Sequence, residues 1–214
     1  MDLHNIRRDY QRAELTQQQL ASDPNQQFDR WMAEAIAAYT DGDPTAMTLA
    51  TVDADHNPHQ RVVLLKANDA SGFYFYTNLG SQKAQDIGDN HRVSLHFSWL
   101  SMERQISIRG HAQPVDREHV ATYFHSRPRA SQIAALASQQ SQPIASREQL
   151  MQRYQQLQEK YANTEQPIPL PDSWGGFCVE PHYFEFWQGG SHRLHDRFCY
   201  RRSADGWTIQ RLQP

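Results

Sequence analysis

Between Trp187 and Arg197 the chain sets two arginines and two histidines beside an indole and the paired glycines Gly189 and Gly190. Cationic donors at that density suit a flat, electron-rich, anionic ligand, because guanidinium groups form charge-assisted hydrogen bonds and stack on rings. The spacing of His192 and His195 would also suit a metal pair. Arg193 and Arg197 would repel a cation there, however, and no Cys, His or carboxylate cluster completes four ligands, so no metal is expected. A Ser-His-Asp hydrolase is disfavoured because no Gly-x-Ser-x-Gly turn occurs.

Three upstream segments carry similar chemistry. Thr77 to Lys83 reads as a strand end followed by a helix start, with Ser81 as N-cap. Lys83 in the first turn opposes the helix dipole, unless a bound phosphate draws dipole, N–H groups, the Thr77 hydroxyl and Lys83 together. An ordinary capped helix with an exposed lysine is the alternative. In the strand from Arg61 to Lys66, period two puts Arg61, Val63 and Leu65 on one face and Val62, Leu64 and Lys66 on the other. The two cations then serve opposite faces and two anions, or simply snorkel at the strand ends. Arg127 precedes Pro128 and is pushed out of helical geometry. Tyr123, Arg127 and Ser131 can still converge as donors for a phosphate.

The elements that must position these groups follow from pattern. Helical spacing of Phe28, Trp31, Met32, Ala35, Ile36 and Tyr39 predicts a helix over 26–39. Strands are expected over 46–52, 60–66, 73–76, 92–99, 104–111, 176–179, 183–188, 197–202 and 207–212, with a turn at 53–58. A short helix ends near Asn90, Asp116 caps a helix to about His125, residues 131–137 resume it, and Ser146 opens another. Most connections are too short for parallel crossovers, so the class is mainly β, antiparallel, a small barrel with flanking helices. Residues 1–25 read as a polar, mobile N-terminal arm and 26–214 as one domain.

Composition narrows the setting. The chain has 214 residues, 21 basic against 24 acidic, and a net charge of −3, so no global field gathers nucleic acid or anionic lipid. Cys178 and Cys199 fit reduced thiols in a cytoplasmic protein. No apolar segment suggests a signal peptide or a membrane span.

Taken together, the motifs resemble the pyridoxine/pyridoxamine 5′-phosphate oxidase family. The matching stretches run from Arg61 to Lys66, from Phe75 to Ser81 with Lys83, and from Glu103 to Gln105. They continue with Tyr123 to Arg129 followed by Ser131 to Ile133, then Trp174 to Phe177, Glu185 to Gly190 and His192 to Phe198. The resemblance implies an FMN-binding split β-barrel, a homodimer with two flavin sites at the subunit interface. The implied reaction oxidises pyridoxine or pyridoxamine 5′-phosphate to pyridoxal 5′-phosphate, with O2 as acceptor and H2O2 as product.

Carried over by position, Arg61, Thr77 and Lys83 would hold the FMN phosphate. Val62, Val63, Leu64, Leu65, Lys66, Tyr76, Gln82, Gln140 and Ser141 would line the flavin site, and Gln105, Trp187 and Arg197 would surround the flavin ring. Lys66, Tyr123, Arg127 and Ser131 would take the substrate phosphate, with Arg193, Leu194 and His195 over the pyridine ring and Arg7 and Tyr10 closing from the arm. Arg193, His195 and Arg197 would act in catalysis, the last as a fixed guanidinium facing charge that develops on the reduced ring. Gln82 stands where the family often has Arg. Two other functions fit parts of the pattern: a split-barrel flavin reductase, and a non-catalytic FMN or pyridoxal-phosphate binding protein.

Overall fold

The computed structural model describes residues 1–5, 9–163 and 165–214. Its framework is one nine-stranded antiparallel sheet. Strands β1 (Ala46–Val52), β2 (Pro58–Leu64), β3 (Ala67–Asp69) and β4 (Gly72–Asn78) precede β5 (Arg92–Trp99) and β6 (Arg104–Pro114). After three helices come β7 (Trp174–Gln188), β8 (Asp196–Ser203) and β9 (Gly206–Leu212). The order β2-β1-β5-β6-β7-β4-β3, with β8 on β7 and β9 on β8, makes β7 the spine. Its first half pairs with β4 and its second half with β8, while β6 runs along the other side.

That spine corrects an expectation. Residues 176–179 and 183–188 are not two strands but parts of one, because Pro181 is absorbed by a bulge. The register slips from Arg109 opposite Tyr183 to Gly110 opposite Pro181, leaving His182 unpaired. A bulge is one of the few places where a sheet tolerates a residue without an N–H.

The helices are α1 (Pro24–Ala38), α2 (Gln82–Asp89), α3 (Arg117–Ser126), α4 (Arg129–Ala137) and α5 (Arg147–Lys160). α1 starts two residues earlier than its apolar spacing indicated. Asp23 caps it by accepting from the Asn25 N–H at 2.8 Å, and Pro24 occupies the first turn, where it forfeits no bond. Its buried face packs Phe28 edge-on against Phe73 and Trp31 against Phe186.

Alternation along β6 sends Ile106, Ile108 and Ala112 into that core and leaves Gln105, Ser107 and Arg109 on the outer face. With Phe75, Phe97, Phe184 and Phe198 also buried, the sheet is held by side chains each worth roughly 2–3 kcal/mol. A second cluster under α3 and α4 joins Val120, Phe124, Ile133, Tyr161, Ile168 and Trp174. The N-terminal segment before α1 touches the body: Leu15 is buried, and its N–H donates to Asp196 at 2.9 Å. Among the described residues no helix is long and apolar enough to cross a membrane.

Candidate active site

β2, β4, the start of α2, α4 and the loop after it enclose a cavity of about 680 Å³. Fourteen of the residues singled out by sequence line it. They are Arg61, Val62, Val63, Leu64, Lys66, Tyr76, Thr77, Gln82, Lys83, Tyr123, Arg127, Ser131, Gln140 and Ser141. Four of them are cationic, and among the described residues no Asp, Glu or His joins the lining.

At one end Lys83 is only 7 % exposed, and its ammonium donates to the Thr77 hydroxyl at 3.2 Å and the Ser81 hydroxyl at 3.3 Å. The Thr77 hydroxyl in turn donates to the Gln140 side-chain carbonyl oxygen at 3.1 Å. Ser81 therefore occupies the N-cap position of α2 without capping it; its hydroxyl serves the lysine instead. Burial, reinforced by the neighbouring Arg61, pushes the Lys83 ammonium pKa below its ordinary value. Arg61 donates to the Thr51 hydroxyl at 2.6 Å, and Thr51 donates to Asp86 at 2.6 Å. Burial opposes ionisation of Asp86, but hydrogen bonds from Thr51, Gln82 and His59 outweigh it and hold the carboxyl below the usual range. Gln82 is part of this brace through Nε2 at 2.8 Å from Asp86, and its backbone N–H donates to Ser141 at 3.2 Å. Ser141 has a φ of 70°, a left-handed conformation uncommon for a residue with a Cβ.

The other end is aromatic. Tyr76 stacks on Tyr123 with centroids 4.0 Å apart and lies nearly parallel to Trp174 at 5.6 Å. The Arg127 guanidinium sits 4.7 Å over the Trp174 ring, and its buried Nη1 has no hydrogen-bond partner among the described residues. Burial lowers the Arg127 pKa, though a guanidinium stays charged. A desolvated cation with an idle donor is costly unless an anion completes it. Lys66 shares this cavity with Arg61, contrary to the opposite-face expectation. β2 ends at Leu64, Leu65 turns into the core, and the Lys66 N–H crosses to the Tyr74 carbonyl at 2.9 Å, so strict alternation no longer applies. Leu65 thus packs rather than lines.

A second group of expected residues gathers elsewhere, on the outer face of β6, β7 and β8. Gln105 lies opposite Trp187, and Trp187 opposite Arg197. Trp187 contacts His195 at 4.7 Å, and Tyr10 stands edge-on to both. The Gly190 N–H donates to His195 Nδ1 at 3.2 Å, so the neutral ring carries its proton on Nε2. His192 and Arg193 both have left-handed backbones, φ 57° and 64°, a tight turn that leaves Arg193 and Leu194 exposed. Arg197 forms an ion pair with Glu185, 2.8 Å from Nε and 2.7 Å from Nη2. Arg7 lies outside the described residues.

Within one chain the two groups are set apart along β7. Trp174 of the cavity and Trp187 of the outer face are thirteen residues apart on β7 (174 to 187), an extended span of roughly 40 Å.

Sequence reasoning passed over Glu185, Asp86 and Trp174 as individual groups. Glu185 alternates onto the same face as Trp187, next to a strand carrying Arg197, and Asp86 stands one helical turn after Gln82; both signals are legible once looked for.

Comparison with known proteins agrees with this geometry. Residues 32–161 match the family model described as pyridoxamine 5′-phosphate oxidase. Residues 174–214 match the one described as the pyridoxine 5′-phosphate oxidase C-terminal dimerisation region. The chain is 57% identical to a pyridoxine/pyridoxamine 5′-phosphate oxidase from Idiomarina loihiensis, over 100% of both chains. It is 53% identical to one from Hahella chejuensis, again over 100% of both. Among solved structures, PhzG from Burkholderia lata, crystallised with tetrahydrophenazine-1-carboxylic acid, superposes with a TM-score of 0.86. That match has 29% identity and covers 94% of this chain and 98% of the other.

Proposed function

The chain belongs to the pyridoxamine 5′-phosphate oxidase family, and from that premise we infer that it oxidises pyridoxine or pyridoxamine 5′-phosphate to pyridoxal 5′-phosphate with bound FMN. The electrons pass to O2, giving H2O2. The observation that carries this reading is the cavity with four cations and, among the described residues, no carboxylate in its lining. Neither an uncharged flavin nor an unphosphorylated vitamer would need them.

The residues fit two phosphates. Lys83, Thr77, Ser81 and Arg61 would hold the FMN phosphate, since buried hydroxyls and a buried ammonium already point at one another and Asp86 braces Arg61 from behind. Lys66, Arg127, Tyr123 and Ser131 would hold the substrate phosphate, since two cations and two hydroxyls meet at this end of the lining. Bound flavin would supply the two-electron acceptor for oxidation at the carbon attached to the pyridine ring. The chain's own task is then to orient: a remote phosphate anchor fixes where that carbon lies. Arg197, steadied by Glu185, offers a fixed positive group where charge grows, and His195 presents Nε2 as a donor.

Because the flavin-ring residues lie far along β7 from the cavity, a complete site needs Arg61 and Lys83 from one protomer and Trp187 and Arg197 from its partner. The match of residues 174–214 to a dimerisation region supports this homodimer. Cytoplasmic location is part of the same reading, in keeping with two free cysteines.

A flavin reductase would leave Arg127 and Ser131 without a ligand, and a carrier would release no peroxide. The test is to titrate the purified protein with FMN, FAD and riboflavin, then add pyridoxine 5′-phosphate and follow peroxide. Preference for FMN with peroxide release is expected; equal affinity for riboflavin would remove the phosphate assignment, and binding without peroxide would leave only a carrier.

A further inference from the structure

Glu103 stands at a junction that the proposed chemistry does not use. It follows a 3-10 turn, Leu100–Met102, and its φ of 54° puts a side-chain-bearing residue in the left-handed region. Such strain persists only where the surroundings fix it, and it clusters at functional positions. Here the turn brings a carboxylate only 5 % exposed beneath the N-terminal segment. Its Oε2 accepts from the backbone N–H groups of Gln11 and Arg12, each at 3.0 Å. On the other side its carbonyl accepts from the Gly189 N–H at 2.8 Å and from Gln188 Nε2 at 3.2 Å. One residue therefore ties the N-terminal strap to the loop that bears His192, Arg193 and His195.

What the strap carries makes the tie consequential. Tyr10, adjacent to the two latched amides, rests edge-on against Trp187 at 5.7 Å and His195 at 5.6 Å. The Ser191 hydroxyl donates to the Tyr10 carbonyl at 3.2 Å, and the Arg12 guanidinium donates to the Ser101 carbonyl. A Cβ on Gly189 would meet the Tyr10 side chain at 2.9 Å, so the loop is cut to the shape of the docked strap. A chain end frays unless something offsets the entropy of holding it. Two backbone N–H groups converging on one carboxyl oxygen hold the segment at a single point.

We infer that Glu103 is a positioning residue that latches the strap over the Trp187–His195 surface and so sets Tyr10 against His195. Its consequence for substrate rests on the proposed oxidase reading; the latch itself does not.

Hydrogen exchange at the Gln11 and Arg12 amides reads the latch directly. Glu103→Ala should raise exchange at both by about tenfold or more, while core amides keep their protection. Glu103→Gln, which keeps an acceptor oxygen without the charge, should fall between it and the unmutated protein, and it serves if the alanine variant does not fold. In turnover, Glu103→Ala should raise KM for pyridoxine 5′-phosphate several-fold with a smaller change in kcat. Combined with Tyr10→Ala it should add nothing to KM, because both changes disable one device. Unchanged exchange at both amides in either variant, or KM effects that add in full, would overturn the latch. Absence of peroxide release from the unmutated protein would overturn the oxidase reading and leave the exchange result standing.

Discussion

Two cations of the cavity, Lys83 and Arg127, are held differently from Arg197 on the outer face of β7. In the cavity, Lys83 leans on two hydroxyls, and Arg127 keeps a buried donor without a partner among the described residues. On the outer face Arg197 is matched by Glu185, 2.8 Å from Nε and 2.7 Å from Nη2. Desolvating a cation is expensive, and only an opposite charge with good hydrogen bonds offsets it. Lys83 and Arg127, given no carboxylate partner among the described residues, are kept for ligand anions, whereas Arg61 is braced by Asp86. Arg197 is satisfied in advance, so it can present a guanidinium in fixed orientation without collapsing when no ligand is there. The cavity grips, and the outer face poises.

The largest test of this division asks whether the halves belong to different chains of one site. Arg61→Ala should disable the grip and Arg197→Ala the poised face, so each homodimer should be nearly inactive. Random reassortment makes half the dimers mixed, each with one intact and one doubly damaged site, so about a quarter of full activity should return. Steady-state peroxide release after proven subunit exchange measures it. No recovery would mean that both groups act within one chain, against the length of β7.

A smaller effect separates the grip's two anions. Arg127→Ala removes a charge-assisted contact worth about 1.5–3 kcal/mol, so KM for pyridoxine 5′-phosphate should rise by about tenfold to a hundredfold. FMN affinity should barely change, because Lys83, Thr77 and Arg61 lie at the other end. Comparable losses in both would show that the cavity holds a single anion and that the division into two ends is wrong.

Legibility in the sequence followed locality. Strand and helix identity came through because apolar alternation and caps such as Asp116 and Ser146 act within a few residues. Arg61, Lys66, Thr77, Lys83, Tyr123, Arg127 and Ser131 stand out in the sequence as crowded basic and hydroxyl groups, whereas Tyr76, Gln140 and Ser141 are pointed to only by the family resemblance. What local pattern missed depends on neighbours distant in sequence. Pattern divides 176–179 from 183–188, and only the bulge against Arg109 and Gly110 shows why β7 runs through Pro181. Arg61 and Lys66 were assigned to opposite faces because alternation assumes a strand that continues, and the crossing from β2 to β4 ends it. Glu103 was invisible as a latch, since its partners lie 91 and 92 residues away. The family resemblance supplied the roles of Trp187 and Arg197; pattern alone would not have separated them from the cavity.

The finest distinction lies in the alkaline limb of FMN binding. Burial and Arg61 hold the Lys83 pKa below its ordinary 10.5 in the free protein. Between that lowered value and 10.5 the unfolded chain binds the lysine proton more fully than the folded one, so this group makes the free protein more stable as pH rises through the window. Phosphate binding has the reverse sign. It needs the charged ammonium, so affinity should fall as pH climbs through the lowered pKa, before an ordinary lysine would titrate. The expected loss is about tenfold, one charge-assisted hydrogen bond at the low end of its range. Dividing FMN affinity by riboflavin affinity at each pH cancels titration of the ring itself. Lys83→Arg keeps its charge throughout, and its ratio should stay flat over the same window. The outer face predicts no such limb, since its guanidinium groups do not titrate. A ratio in the unmutated protein that holds to pH 10.5, or one that falls equally in Lys83→Arg, would mean that the buried ammonium is not what grips the phosphate.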